Sequence, residues 1–279
     1  MLKVIELFGG IGAMTQALKR LGIEFEIVDY VEIDKYAVAS YNAMNGTNFD
    51  PQDITKWDKD VECDLIMHGS PCQDFSISGL QKGGDEGSGT RSSLMWETVR
   101  IVNKLKPKYV VWENVRNVIS ETHWHNFEKY LNAMASMGYA SAWQVLNAKD
   151  YGVPQNRERV FVVSVLNGRT VYEAMNLFGD SEKKLDFEFP KPFPLTKKLK
   201  DILEENVDEK YFISQMMIDG FLKHNEKHIK KGTGFIFKPK TEDDDVANTL
   251  RANAALCATD NTIAVNDIDP MGNQRGGHT

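Results

Sequence analysis

Lys3-Val4-Ile5-Glu6-Leu7-Phe8-Gly9-Gly10-Ile11-Gly12 is an apolar run of strand length that breaks into three glycines, and Met14 to Leu21 behind it carries helical spacing. A strand that feeds a glycine turn and then a helix is the opening unit of a doubly wound α/β sheet. Bare N–H groups at the helix N-terminus then face a ligand. Working outward, Phe25 to Glu32, Asp64 to His68, Tyr109 to Trp112 and Val160 to Val165 read as further strands. Each is short, nearly continuous and rich in Val and Ile, as strands buried on both faces of a parallel sheet are. Lys35 to Met44 and Trp96 to Leu105 supply intervening helices. After Leu166 the texture changes to Pro190-Lys191-Pro192-Phe193-Pro194, lysine clusters and short strand-like pieces. The expectation is an α/β, Rossmann-like domain over residues 1–170 and a smaller, irregular domain over residues 171–279.

Composition narrows the class. With 42% hydrophobic and 26% charged residues and no apolar stretch of membrane-spanning length, the 279 residues read as globular and soluble, with no membrane partner. The first residues become charged too early for a secretory signal, so a cytoplasmic chain is expected. Cys63, Cys72 and Cys257 are too few and too scattered for a disulfide framework or a zinc cluster, and no metal is expected. A net charge of −7 does not advertise a polyanion partner, so any such surface must be local. Lys223, Lys227, Lys230 and Lys231, interleaved with His224 and His228, form the best local candidate for phosphate contact. A solvated basic helix accounts for them as well.

The glycine turn invites a nucleotide-like cofactor, yet Thr15 stands where a dinucleotide fingerprint has its third glycine, which disfavours NAD and FAD. Twenty residues past Gly12, strand two ends in Glu32, whose carboxylate can accept both hydroxyls of a ribose. That suits an adenosine without phosphate, such as S-adenosylmethionine. Strand three delivers Gly69-Ser70-Pro71-Cys72-Gln73 to the carboxyl edge of the sheet, where open α/β sheets hold ligands, and makes Cys72 a candidate nucleophile. The next strand brings Glu113-Asn114-Val115 to the same edge. Arg157 and Arg159 precede the last strand, where a guanidinium can hold the acid, a substrate carbonyl or a phosphate.

Taken in order, these segments resemble the DNA cytosine 5-methyltransferase family. The matching blocks are Phe8 to Gly12, Glu32 with Asp34-Lys35-Tyr36-Ala37, Asp53-Ile54, Gly69-Ser70-Pro71-Cys72-Gln73-Asp74-Phe75-Ser76, Glu113-Asn114-Val115 and Gln155 to Phe161. The resemblance implies that Phe8, Gly10 and Gly12 line the methionine end of S-adenosylmethionine, Glu32 takes its ribose, Ile33 packs on the adenine, and Asp53, with Ile54 behind it, accepts from the adenine amino group. It makes Cys72 the nucleophile and sets Glu113 against the ring nitrogen and amino group of a cytosine. Arg159 would lie near the carbonyl oxygen and Arg157 would support the pocket. Gln73, Ser76 and the glycine-rich stretch to Ser93 would form a loop that closes over duplex DNA. Leu199 to Leu203 and Tyr211 to Ser214 look like the opening of the family's variable specificity region. The implied activity is methylation of carbon 5 of cytosine, as in bacterial or phage restriction and modification.

Two departures qualify the match. The family's later arginine-containing block and its closing Gly-Asn-Ser-Val block are not found; Gly272-Asn273-Gln274-Arg275 shares only the first two residues of the latter. A fragment, one half of a split enzyme or a truncated reading frame is expected, with a second polypeptide as partner. The alternatives are a catalytically incomplete DNA-binding subunit and a transfer RNA methyltransferase built on the same core.

Overall fold

The computed structural model of the chain describes residues 1–71, 94–168, 170–172, 183–232, 236–241, 244–250, 261–268 and 274–278. Cys72, Gln73, Ser76, the glycine-rich stretch from Gly79 to Gly89 and Cys257 lie outside them. The strands are β1 (Leu2–Leu7), β2 (Phe25–Val31), β3 (Leu65–His68), β4 (Tyr109–Val115), β5 (Tyr139–Asn147), β6 (Gln155–Asn156), β7 (Glu158–Leu166), β8 (Thr170–Tyr172), β9 (Lys183–Leu185), β10 (Ala247–Asn248), β11 (Thr262–Ile268) and β12 (Gln274–His278). The helices are α1 (Ala13–Arg20), α2 (Lys35–Asn45), α3 (Met95–Leu105), α4 (Trp124–Ser136) and α5 (Gln215–Lys231). Two compact units emerge: Met1–Leu146 with Arg159–Phe189, and Asn147–Glu158 with Pro190–Thr279.

The first unit is built on a six-stranded sheet in the order β2-β1-β3-β4-β7-β5. β2, β1, β3 and β4 run parallel, as their apolar, two-sided burial foretells. On one face Val4, Leu65 and Met67 pack with Leu18 of α1. On the other, Ile5, Leu7, Ile66, Val110 and Trp112 pack with Ile101 and Val102 of α3 and with Phe127, Tyr130 and Met134 of α4. The sheet is therefore doubly wound. β7 departs from the all-parallel expectation and runs antiparallel to β4, with Glu113 opposite Phe161 and Val115 opposite Arg159. α4 carries the chain from β4 to β5 with one position left between them; β7 takes that position after a connection without a crossover helix, the kind that yields antiparallel neighbours. Neither α4 nor β5 is among the elements expected above. β5 lies at the sheet edge and mixes Ala140, Ser141, Ala142 and Gln144 among its apolar residues, which weakens the strand pattern.

The second unit is irregular. Its one long helix among the described residues, α5, is N-capped by Ser214, whose side chain accepts from the Met217 N–H, and ends at Gly232 in the left-handed conformation. Phe221 of α5 stacks on Phe237 at 4.8 Å, and the Asn225 amide both donates to the Phe237 carbonyl and accepts from its N–H. β6 pairs with β10, and β11 with β12. Leu199, Ala247 and Ile263 form the small core there. Among the described residues no helix is long and apolar enough to cross a membrane, and no group of three His, Cys, Asp or Glu side chains could hold a metal ion.

Candidate active site

The chain leaves β1 through Phe8 and Gly10, both at φ +53°, and reaches Gly12 at φ +87°, which caps α1 without a side-chain hydrogen bond. The left-handed conformation is easy for glycine and unusual for Phe8. The three glycines do different work. A Cβ on Gly10 would meet nothing within 4 Å, so this position faces open space, whereas one on Gly9 would strike Tyr30 and one on Gly12 would strike Tyr41.

Glu32 stands just past β2. Its carboxylate accepts from the N–H groups of Gly10 (3.1 Å), Ile33 (2.9 Å) and Asp34 (3.0 Å), which orients it and ties the end of β2 to the glycine loop. The Gln52 N–H donates to the Glu32 carbonyl and so brings Asp53 to the same corner. The Asp53 carboxylate accepts from the Thr55 hydroxyl and N–H, and these bonds hold it below the usual carboxylate range. Arg100 of α3 donates to the Ile54 and Trp57 carbonyls and fastens this turn to the core. Ile54 itself is buried. Ile33 is 68% exposed and Ile11 60% exposed, apolar surface beside the open space at Gly10. A carboxylate fixed by backbone donors, a second acceptor, exposed isoleucines and an unobstructed glycine fit an adenosyl group.

The other half of the site lies at the ends of β3, β4 and β7. Gly69 is tied to β1 through its N–H and the Leu7 carbonyl. A Cβ on Gly69 would lie 3.7 Å from Glu113 Oε2 and 3.9 Å from the Phe8 carbonyl oxygen, so this glycine marks where the acid approaches the glycine loop. Arg159 Nε meets Glu113 Oε1 at 2.9 Å, both side chains being largely buried. The pair is diagonal across β4 and β7 and exists because β7 is antiparallel. Ser70 is buried; its hydroxyl accepts from the Trp112 indole N–H at 3.0 Å, and the Asn114 amide donates to its carbonyl at 3.4 Å. These bonds pin the chain two residues before Cys72. Arg157 belongs to the second unit, where its backbone is held by Asn147 and Ala148.

The C-5 cytosine-specific DNA methylase family model matches residues 2–274. The chain belongs to that family. It is an enzyme family, and the type II methyltransferase M2.ScrFI of Lactococcus lactis subsp. cremoris is 33% identical over 78% of this chain and 72% of its own length. The orphan methyltransferase M.Rho11sI of Bacillus phage rho11s is 34% identical over 84% of this chain, which spans only 50% of that protein. The crystal structure of the Schizosaccharomyces pombe Dnmt2 methyltransferase covers 96% of this chain, and is itself covered to 77%, at a TM-score of 0.68 and 20% identity, which establishes the methyltransferase fold.

Beneath the candidate site lie groups that the sequence patterns above do not single out. Glu6, Tyr30 and Tyr41 lie under the glycine loop, where Thr15, read above only as a missing glycine, bonds to Glu6, and His68 at the end of β3 is stacked on Trp112 and bonded to Tyr130. Glu6 is an acid in mid-strand with both neighbours apolar, a signal legible in the sequence. The tyrosines carry no comparable mark. Cys63 is buried, and burial pushes its thiol up to about 12, which suits a core residue and not a nucleophile.

Proposed function

We propose that this chain transfers a methyl group from S-adenosylmethionine to carbon 5 of cytosine in duplex DNA, in the cytoplasm, through a covalent adduct of Cys72 with a base turned out of the helix. The observation that carries the reading is the Glu113–Arg159 pair beside Gly69, at the sheet edge where Cys72 follows in sequence, in a chain of this family. Glu32, Gly10, Ile33 and Asp53 would hold the adenosyl group, and Phe8 and Gly12 would border its methionine end. When bound, S-adenosylmethionine supplies the electrophilic methyl group that an activated carbon 5 takes up.

Activation is the task of the chain's own residues. Carbon 5 of an aromatic cytosine is a weak nucleophile. Addition of the Cys72 thiolate at carbon 6, with Glu113 stabilising charge at the neighbouring ring nitrogen, converts carbon 5 into an enamine carbon. After methylation, loss of the carbon 5 proton to a base restores the double bond and expels the thiolate. Arg159 holds Glu113 in place and would donate to the carbonyl oxygen of the base. Both ring carbons are sandwiched in the stacked duplex, so the base must leave the helix, at a cost of about a few kcal/mol. The second unit, with Arg157 and the lysines of α5, would serve target recognition, and Gln73 and Ser76 would border the base.

Tritiated methyl transfer from S-adenosylmethionine to duplex DNA and to transfer RNA tests the reading, with the chain alone and with a polypeptide carrying the arginine-containing and Gly-Asn-Ser-Val blocks. Transfer to duplex DNA that is lost in Cys72→Ser, with cofactor affinity kept, is the expected result. A duplex containing 5-fluorocytosine should trap the chain through Cys72, because fluorine does not leave as a proton does. Trapping through Cys63 or Cys257, or transfer confined to transfer RNA, would overturn the proposal.

A further inference from the structure

The glycine loop rests on a support that the adenosyl-binding residues do not explain. Tyr30 of β2 and Tyr41 of α2 are fully buried and stack with ring centroids 3.8 Å apart at 21°. Gly9 and Gly12 leave room for them: a Cβ at these positions would come within 2.5 Å of Tyr30 Cε2 and 2.7 Å of Tyr41 Cδ2. The Tyr30 hydroxyl donates to the Gly10 carbonyl. The N–H of the same glycine donates to Glu32 Oε2 at 3.1 Å. At the other end of the stack the Tyr41 hydroxyl lies 3.0 Å from Thr15 Oγ1, and the Thr15 hydroxyl donates to the buried Glu6 carboxylate.

We propose that Tyr30, Tyr41 and Thr15 are positioning residues of the cofactor site, a stacked tyrosine pair that is clamped by Thr15 at one end and holds Gly10 at the other. The inference rests on the reading that an adenosine sits at Glu32. Gly10 is in the left-handed region with open space around it, so neither sterics nor a side chain of its own fixes its conformation. Three hydrogen bonds do: the Gly12 N–H closes the turn onto the Gly9 carbonyl at 2.8 Å, the Tyr30 hydroxyl holds the Gly10 carbonyl, and Glu32 holds the Gly10 N–H. Removing the Tyr30 hydroxyl releases the carbonyl and loosens the Gly10 backbone, which weakens the hold of Glu32 on the Gly10 N–H, one of its three backbone donors. The carboxylate then meets the ribose less well oriented. Thr15 gains a role beyond exclusion of a dinucleotide: a glycine there could not supply the hydroxyl that joins Glu6 to Tyr41. If the aromatic pair only filled space, phenylalanine would serve as well as tyrosine.

The test is isothermal titration of S-adenosylmethionine into the full chain and into Tyr30→Phe, Thr15→Val and Thr15→Ser. Tyr30→Phe keeps the stack and Thr15→Val keeps the volume, and thermal melts confirm that each variant is folded. Both are expected to weaken affinity about threefold to tenfold, the worth of one net hydrogen bond, while Thr15→Ser restores it. In methyl-transfer assays the loss should fall on KM for the cofactor, with kcat at saturating cofactor kept within about twofold. Wild-type affinity in both Tyr30→Phe and Thr15→Val, or a loss confined to kcat, would overturn the proposal. Failure of the wild-type chain to bind S-adenosylmethionine would overturn the functional reading instead.

Discussion

Glu6→Gln should reshape the acid limb of stability, because Glu6 and His68 are buried titratable groups whose shifts act in opposite directions. Glu6 is 1% exposed and burial raises its carboxyl from 4.5 to about 7. His68 is 0% exposed and burial lowers its imidazole from 6.5 to about 3, with no hydrogen-bond partner for Nδ1 among the described residues. Between pH 4.5 and 7 the folded chain holds the Glu6 proton more firmly than the unfolded chain does, so this group removes stability as pH rises. For His68 the unfolded chain binds the proton more firmly between pH 3 and 6.5, so this group adds stability as pH rises. Each slope is about 1.4 kcal/mol per pH unit at most. From pH 4.5 to 6.5 the two oppose each other in the wild type. Glu6→Gln deletes one. The stability difference, variant minus wild type, should grow by about 2 to 3 kcal/mol from pH 4.5 to 6.5. His68→Asn should show the mirror image. Urea unfolding followed by tryptophan fluorescence reads this directly, since all five tryptophans, at positions 57, 96, 112, 124 and 143, lie in the first unit. A difference that is flat with pH, or that shrinks as pH rises, would refute the reasoning.

Glu32→Ala should weaken S-adenosylmethionine binding more than Asp53→Ala, about tenfold to a hundredfold against about threefold to tenfold, because Glu32 also orders three backbone N–H groups. Equal losses by titration calorimetry would contradict that ranking. Arg159→Ala leaves Glu113 without its guanidinium partner, and single-turnover methyl transfer should fall about a hundredfold or more while cofactor affinity stays within about twofold; a loss of affinity instead would place Arg159 in the wrong half of the site. Ser70→Ala strands the buried Trp112 indole N–H and should cost about 1 to 3 kcal/mol, read as a lower urea midpoint at unchanged slope. An unmoved midpoint would mean that another acceptor takes over.

The strand-to-glycine passage from Lys3 to Gly12, the carboxylate at the end of β2 and the Gly69 to Ser70 exit from β3 are visible in the sequence because each is a local event. A short apolar run, a residue needing positive φ and a polar side chain at a strand end are written within ten residues of one another. The parallel pairing of β1 to β4 follows from the same runs, since strands apolar on both faces need helices over both faces. α4 is equally legible, with Phe127, Tyr130 and Met134 at helical spacing, although Trp124 and His125 in its first turn blur the pattern.

What the sequence by itself determined was therefore the doubly wound core, the parallel strands β1 to β4 and the turns that leave their carboxyl ends. Only the tertiary structure decided which side chains meet there. Glu113 and Arg159 are 46 residues apart, and their ion pair exists because β7 enters the sheet antiparallel in the gap between β4 and β5. Asp53 reaches the corner of Glu32 through the Gln52 N–H, a backbone bond that no side-chain pattern encodes. The tyrosine stack beneath Gly10 joins β2 to α2 across the glycine loop, and the residues that make it look like ordinary core aromatics until their hydroxyls find Gly10 and Thr15. The physical reason is common to all three. Strand and turn propensity act over a few residues, whereas pairing across a sheet is chosen by the whole core, which closes only one way round its apolar faces.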